Sequence, residues 1–521
     1  MSTINLTTKS DYVNAKKVVE SVKNEDTNLY VYIGRPQAWP DEQTPPNVLE
    51  TLDTEYNIWH DMTAMKRVSE PDIILGFRRI NWVEDTVYDE YSDQDDLSTL
   101  DYYVYTDEKK IYKCISNNGG VPSTVKPTHT VANITKTVDG YRWKYMYTLS
   151  DSLARKFSVG DYLPVSEDSF IQSQATVGSI EHLKIISGGS GYPISASVDN
   201  DTEIPIYILG DGNEVSTATC NLVTVGGVVQ SASVVNQGNG YPIAPETNIP
   251  VMIRQVSSTG AVETAFGTIT TGLTGQVTNV DIVIGGTGYV NGSAIIVLSS
   301  CYGYAETNSS GVIINTEIAT ARAGENFRKA KAIVVANPIT VANIRPVISP
   351  FKGHGASPER ELLAKYVLIN LSFAYDEGDG DFTVENNFRR IGLIENPLAY
   401  GTSTLASSRT LNAKHTLVVS NVTGQFAEDD IIYGQTSGAK GFNVDLIDGN
   451  KIRYIRDDTL SNNIDFTTET IQSASGASAT ITELQPPEVE PYSGDILVIN
   501  NRTAIDRTSE QIETIMLVLE Y

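Results

Sequence analysis

The chain has 521 residues, and its 38 Lys and Arg stand against 64 Asp and Glu, a formal charge of −26. Phosphate binding needs clustered cations, so this balance argues against a nucleic-acid binder and against docking on an anionic membrane surface. No apolar run reaches the roughly 18 residues of a transmembrane helix, and the opening MSTINLTTKSDY lacks the basic-then-apolar order of a secretory signal.

In chain order, Ala15, Val18, Val19 and Val22 recur on one helical face. They predict a helix from Ser10 to Val22, with Ser10 or Asp11 as its cap. The run YDEYSDQDD (88–96) reads as an exposed acidic loop. An internal repeat follows. IEHLKIISGGSGYP, VQSASVVNQGNGYP and VTNVDIVIGGTGYV each lead an apolar strand into Gly-x-Gly-Tyr, with Tyr192, Tyr241 and Tyr289 spaced 49 and 48 residues apart. Ile180, Val229 and Val277 match in phase, as do Leu183, Ala232 and Val280. A fixed period near 50 indicates repeated supersecondary modules. The expected turn places Gly191, Gly240 and Gly288 at positive φ and folds each tyrosine back onto its strand. A phosphate loop is the weaker reading, because no Lys-Ser/Thr follows.

A second helix is expected at Ser357-Pro358, passing into strand along KYVLINLSFAY. The acidic loop with Asp376, Glu377, Asp379 and Asp381 reads as a solvated Gly-Asp turn, with a Ca²⁺ site as the alternative. Thr-Ser-Gly-Ala at 436–439 and Ala-Ser-Gly-Ala at 474–477 each predict a hairpin turn before a strand, and QPPEVEPYSG marks a boundary. Short Val-, Ile- and Tyr-rich stretches between Gly, Ser, Thr, Asn and Asp predict a mainly β chain with helix a minor part.

Chemical motifs are scarce. Cys114, Cys220 and Cys301 form no CxxC pair and read as small buried hydrophobes. His60, His129, His182, His354 and His415 show no metal-ligand spacing. No Ser/His/Asp set or nucleophile elbow occurs. A glycosidase-like carboxylate pair depends on distances that sequence does not carry. Trp39, Trp59, Trp82 and Trp143 read as core or subunit-interface packing, with sugar stacking as the alternative. The pairs Arg78-Arg79 and Arg389-Arg390 are expected in salt bridges. No catalytic, cofactor-binding or metal residue is assigned, and no enzyme activity is expected.

YVYIGRPQAWP (30–40), DIILGFRRINW (72–82), DGYRWKYMYTLSD (139–151), FRRIGLIENPL (388–398) and the closing SGDILVINNRTAIDRTSEQIETIMLVLEY stand in a telling order. Together they resemble, in the same order, the motifs of the baseplate wedge subunit family (gene product eight) of T-even-type contractile-tailed phages. The resemblance implies a multi-domain, β-sandwich-like core and a non-enzymatic, homodimeric structural protein. Such a protein sits in the virion's tail baseplate, is made in the host cytoplasm, and contacts other wedge proteins. It implies no small-molecule substrate, no nucleic acid and no membrane insertion.

The expected division is 1–175 as the first core part, 176–315 as an inserted triple repeat and 316–404 as the second core part. An inserted Ser-Gly-Ala unit (405–487) and C-terminal core strands (488–521) complete it. The expected function is to join neighbouring wedge subunits and to rearrange with them on contraction. The alternative is a tail adaptor or fibre-type protein that binds a host surface glycan through the inserted repeats.

Overall fold

The computed structural model describes residues 8–194, 204–243, 246–258, 260–374, 387–427, 430–447, 449–456, 464–505 and 512–521. The protein is mainly β, with 47% strand and 11% helix. It divides into two compact units: Met1–Gly76 with Lys365–Tyr521, and Phe77–Ala364. The loop holding Asp376, Glu377, Asp379 and Asp381 lies outside the described residues.

The first unit is built on a five-stranded antiparallel sheet. Its order is Thr410–Asn412, Met62–Arg67, Leu29–Gly34, Phe388–Glu395, Asp495–Ile505. Leu29–Gly34 is buried along its whole length, which suits a central strand read as a continuous apolar run. A second sheet sets Tyr366–Ala374 between Ile73–Arg78 and Ile512–Glu520. A closed six-stranded barrel occupies His415–Gln485.

The first helix runs Thr8–Lys23 and buries Tyr12, Ala15, Val19 and Val22. It starts before the expected caps, so Ser10 and Asp11 lie in its first turn, where Asp11 meets the positive end of the dipole. A helix not expected from sequence spans Leu52–Asp61, capped by Thr51, whose hydroxyl accepts the Thr54 N–H. The segment expected to pass from helix into strand is strand throughout Tyr366–Ala374.

In the second unit, helix at Ser357-Pro358 is limited to Pro358–Glu361. An antiparallel sheet orders Tyr103–Tyr105, Lys110–Ser116, Arg142–Thr148 and Thr135–Lys136. Its core holds Tyr88, Tyr112, Cys114, Tyr141 and Trp143, with Tyr141 stacked on Trp143 at 5.4 Å between ring centroids. The acidic run 88–96 is only half the exposed loop expected. Tyr88, Tyr91 and Ser92 are buried, and Glu90 turns inward to pair with His182 and Lys184. Aromatic side chains interleaved with the carboxylates account for the difference, because their burial carries the backbone inward.

Among its described residues the repeat region contributes twelve strands, numbered in chain order. They are β1 Ile180–Ser187, β2 Ile204–Gly210, β3 Glu214–Val225, β4 Val228–Asn236, β5 Ile249–Ser257 and β6 Gly260–Thr271. The rest are β7 Val277–Ile284, β8 Gly292–Ser299, β9 Tyr302–Thr307, β10 Ile313–Glu317, β11 Ala330–Val334 and β12 Asn343–Ile348. The second and third repeats share one sheet of palindromic order, β4-β3-β8-β5-β6-β7. The first repeat lies elsewhere. Its β1 pairs with β12, and its core is completed by residues of a sheet ordered β10-β9-β2-β11. The expected boundary at 315 falls inside β10. Ser349 N–H donates to Ser179 O at 2.9 Å, so the two ends of the segment 179–349 lie side by side.

Candidate interaction sites

Three of the segments that carry the resemblance, 30–40, 388–398 and the closing one, meet in a charged corner of the first unit. Strand Leu29–Gly34 delivers Arg35, and helix Leu52–Asp61 delivers Asp61. Arg35 and Arg390 approach the Asp61 carboxylate at 3.1 and 3.2 Å. Both guanidiniums lie over the Trp39 ring, 4.9 and 5.8 Å from its centroid. Trp39 donates its indole N–H to Arg502 O at 2.9 Å, and Arg389 pairs with Glu42 at 2.7 Å.

Burial pushes the Asp61 carboxyl up, but His60, Arg35, Arg390 and Lys414 outweigh it and hold the pKa below the usual value. Lys414, fully buried, donates to His60 O at 2.6 Å; burial brings its pKa down to about 7 against the pull of Asp61. Every charge here is spent on another part of the same unit. The corner is suited to holding strands in place, and the Arg389-Arg390 pair is salt-bridged as expected. Arg78 pairs with Asp101, whereas Arg79 bonds Asn81 at 2.7 Å and lies over the Tyr105 ring.

The three turns have the positive φ and buried tyrosines that the sequence predicts, but the hydroxyls of Tyr241 and Tyr289 reach other strands instead of their own. Gly191, Gly240 and Gly288 have φ of 76, 86 and 89°. Tyr192, Tyr241 and Tyr289 are buried. The Tyr241 hydroxyl accepts Ala218 N–H and donates to Ile296 O, while that of Tyr289 accepts Ala265 N–H and donates to Ile253 O. Ile253 and Ile296 face each other across β5 and β8, so the two tyrosines are related by a local two-fold axis.

That symmetry exposes a fourth module that the sequence reading missed. Tyr241 N–H donates to Gly275 O, and Tyr289 N–H donates to Gly227 O. Each aromatic thus caps the hairpin of the other module. Tyr192 N–H likewise donates to Gly311 O, and the reciprocal bond comes from Phe327 N–H to Gly178 O. A second set agrees: Val229 N–H to Gly285 O, Val277 N–H to Gln237 O, Ile313 N–H to Gly188 O, and Ile180 N–H to Ala323 O. Modules 2 and 3 therefore form one two-fold pair, and modules 1 and 4 form another.

In module 4 the turn reads Gly324-Glu325-Asn326-Phe327. Gly324, at φ 62°, matches Gly189, Gly238 and Gly286 at 61, 62 and 58°. A Cβ on Gly238 would sit 2.5 Å from Ala218 N, and one on Gly286 2.6 Å from Ala265 N, so this first glycine is needed for space. In modules 2 and 3 the second position needs only positive φ, since a Cβ there would meet nothing nearer than 3.6 Å, and in module 4 Asn326 supplies that φ at 64°. The signal was present in the sequence as Gly-x-Asn-Phe, 38 residues after Tyr289 and so out of period.

The remaining expected features are structural in their setting. Cys114, Cys220 and Cys301 are buried, and burial raises all three thiol pKa values. Trp39, Trp59 and Trp143 are buried, and Trp82 is half-buried with its indole N–H on Ser123. Gly438 and Gly476 take φ of 76 and 95° in the two Ser-Gly-Ala turns, and the Glu469 carboxylate accepts Thr436 and Ser437 N–H in the first. Lys113 and Glu361 form a buried pair, with Glu361 also accepting the N–H groups of Gly355 and Ser357. Among the described residues no three His, Cys, Asp or Glu side chains converge to hold a metal ion. Comparison with protein-family profiles and with curated proteins finds no match for this chain.

Proposed function

We propose that this chain is a structural subunit of a contractile-tail baseplate wedge. It joins neighbouring wedge proteins, as a homodimer within the virion, and shifts with them on contraction. One observation carries the reading. Four of the five segments that resemble the wedge family supply strands to just two sheets. Segments 30–40, 388–398 and 493–505 supply three adjacent strands of the five-stranded sheet, and 72–82 and 512–521 flank Tyr366–Ala374 in the other. Residues more than 350 positions apart in sequence thus pair edge to edge, and material outside the resemblance forms the separate barrel. Motifs scattered by chance have no reason to share sheets.

The reading needs no catalytic centre. The charged side chains of the Trp39 corner are consumed in internal pairs, which suits a part that transmits force. Movement on contraction would require interfaces with two packings close in free energy.

Labelling this chain on negatively stained virions tests the reading. A six-fold ring of label around the tail end is expected. Label at fibre tips would overturn the wedge assignment in favour of an adaptor that binds a host surface.

A further inference from the structure

The two module pairs differ at one place. Where β4 meets β7 in pair 2–3, the seam carries Ser231, Ser233, Asn279 and Asp281. The matching positions in pair 1–4, where β1 meets β10, are His182, Lys184, Asn315 and Glu317. Opposite this second seam stand the turn after strand Lys110–Ser116 and the strands ending in Lys136 and beginning at Arg142. Together they enclose a cleft of about 510 Å³, within the size range of small-ligand sites.

The cleft is cationic in a chain of charge −26. Lys136, Arg142, Lys184 and His182 line it, and Glu90 is the one carboxylate in the lining. Glu90 is already engaged by Lys184 at 2.8 Å and lies 3.2 Å from His182. Ion pairing between the sheet and the repeat accounts for those contacts and for the 3.3 Å approach of Arg142 to Glu317. It does not account for Lys136, which has no carboxylate partner among the described residues.

The uncharged lining is equally specific. The Asn117, Asn118 and Asn315 amides each donate one N–H within the protein, to Tyr88 O, Asp139 O and Glu306, which leaves a second N–H on each, and the Thr316 hydroxyl is held on Leu183 O. Above Gly119 and Gly120 the space is open, with no atom within 4 Å of an added Cβ. Ile314, 54% exposed, gives the wall an apolar patch.

We propose that this cleft binds an acidic saccharide, such as a hexuronate unit of a surface polymer. The sugar carboxylate meets Lys136 and the Arg142 fork, a geometry that suits carboxylates. Sugar hydroxyls accept the remaining N–H of the asparagine amides. The C–H face of the ring rests on Ile314. The inference is independent of the wedge reading and stands or falls without it.

The test is isothermal titration of the full chain with digalacturonate, with neutral galactobiose and with a hexaglutamate peptide. Digalacturonate should bind at least about tenfold more tightly than galactobiose, the loss expected for a charge-assisted contact. Lys136→Gln should weaken it about threefold and Arg142→Gln about tenfold. Lys331→Gln, outside the cleft on β11, should leave it unchanged. Equal binding of galactobiose, tighter binding of hexaglutamate, or no binding of digalacturonate would overturn the proposal. So would a folded Lys136→Gln protein that binds as before. Lys136 is exposed, so this variant decides the matter even if Arg142→Gln fails to fold.

Discussion

Module pairs 2–3 and 1–4 are built by the same backbone bonds yet read very differently in sequence. In pair 2–3 both turns keep Gly-x-Gly-Tyr, and both tyrosine hydroxyls bridge a strand N–H to a carbonyl across the local axis. In pair 1–4 one turn has drifted to Gly-Glu-Asn-Phe, and only Tyr192 keeps a hydroxyl, which accepts Ala342 N–H at 2.8 Å. What survives the drift shows what the fold requires: a glycine at positive φ where a Cβ would come within 3.0 Å of another atom, a positive φ two residues later, and a buried ring. The rest is free to change, and in pair 1–4 the seam has acquired His182, Lys184 and Glu317 where pair 2–3 has Ser231, Ser233 and Asp281.

The largest expected effect separates the two glycine positions. Gly238→Val places a Cβ against Ala218 N as well as straining a φ of 62°, and should cost more than about 3 kcal/mol in denaturant melts. Gly240→Val meets side-chain atoms no nearer than 3.6 Å, so only its φ of 86° counts, at about 1–3 kcal/mol. Asn326→Gly should change stability by less than about 1 kcal/mol, because both residues tolerate that region. Equal costs at Gly238 and Gly240 would remove the distinction between space and φ.

Next in size are the hydroxyls. Tyr241→Phe and Tyr289→Phe each strand a buried N–H and a carbonyl, and should cost about 1–3 kcal/mol. Tyr192→Phe strands one N–H and should cost less, about 1 kcal/mol. A larger loss at Tyr192 than at Tyr241 would contradict the two-fold account.

An effect confined to pair 1–4 should appear with pH. Burial would raise the Glu90 pKa, but His182 and Lys184 outweigh it and bring it down to about 2. Between that value and the ordinary glutamate range near 4.5, the unfolded chain binds the extra proton. The stabilisation from Glu90 is therefore complete above about pH 4.5 and is lost as pH falls toward 2. Amide exchange on β1 should quicken over that window and lose the dependence in Glu90→Gln, while β4 and β7 stay unaffected.

Local chemistry explains what the sequence could and could not reveal. The tyrosine turns were legible because glycines and an aromatic at fixed offsets have few other uses. The first helix was legible from the spacing of Ala15, Val18, Val19 and Val22. Module 4 was hidden because Asn326 and Phe327 do the work of Gly and Tyr at a shortened spacing. The Trp39 corner was hidden for another reason. Arg35, Asp61 and Arg390 are far apart in sequence, and only sheet pairing brings them within 3.2 Å. The acidic run at 88–96 misled because its charges masked the buried Tyr88 and Tyr91.

The central claim is that a frame carrying the wedge-like motifs holds the repeat as a separable insert. The direct measurement is to delete 179–349, join Gly178 to Pro350 through a short Gly/Ser linker, and follow the product by circular dichroism and light scattering. Ser179 and Ser349 are hydrogen-bonded neighbours, so the linker closes a short gap. The account predicts a folded, cooperatively melting homodimer, whereas deletion of 176–315, which cuts through β10, should not fold. A product of the 179–349 deletion that is unfolded, aggregated or only monomeric would contradict it.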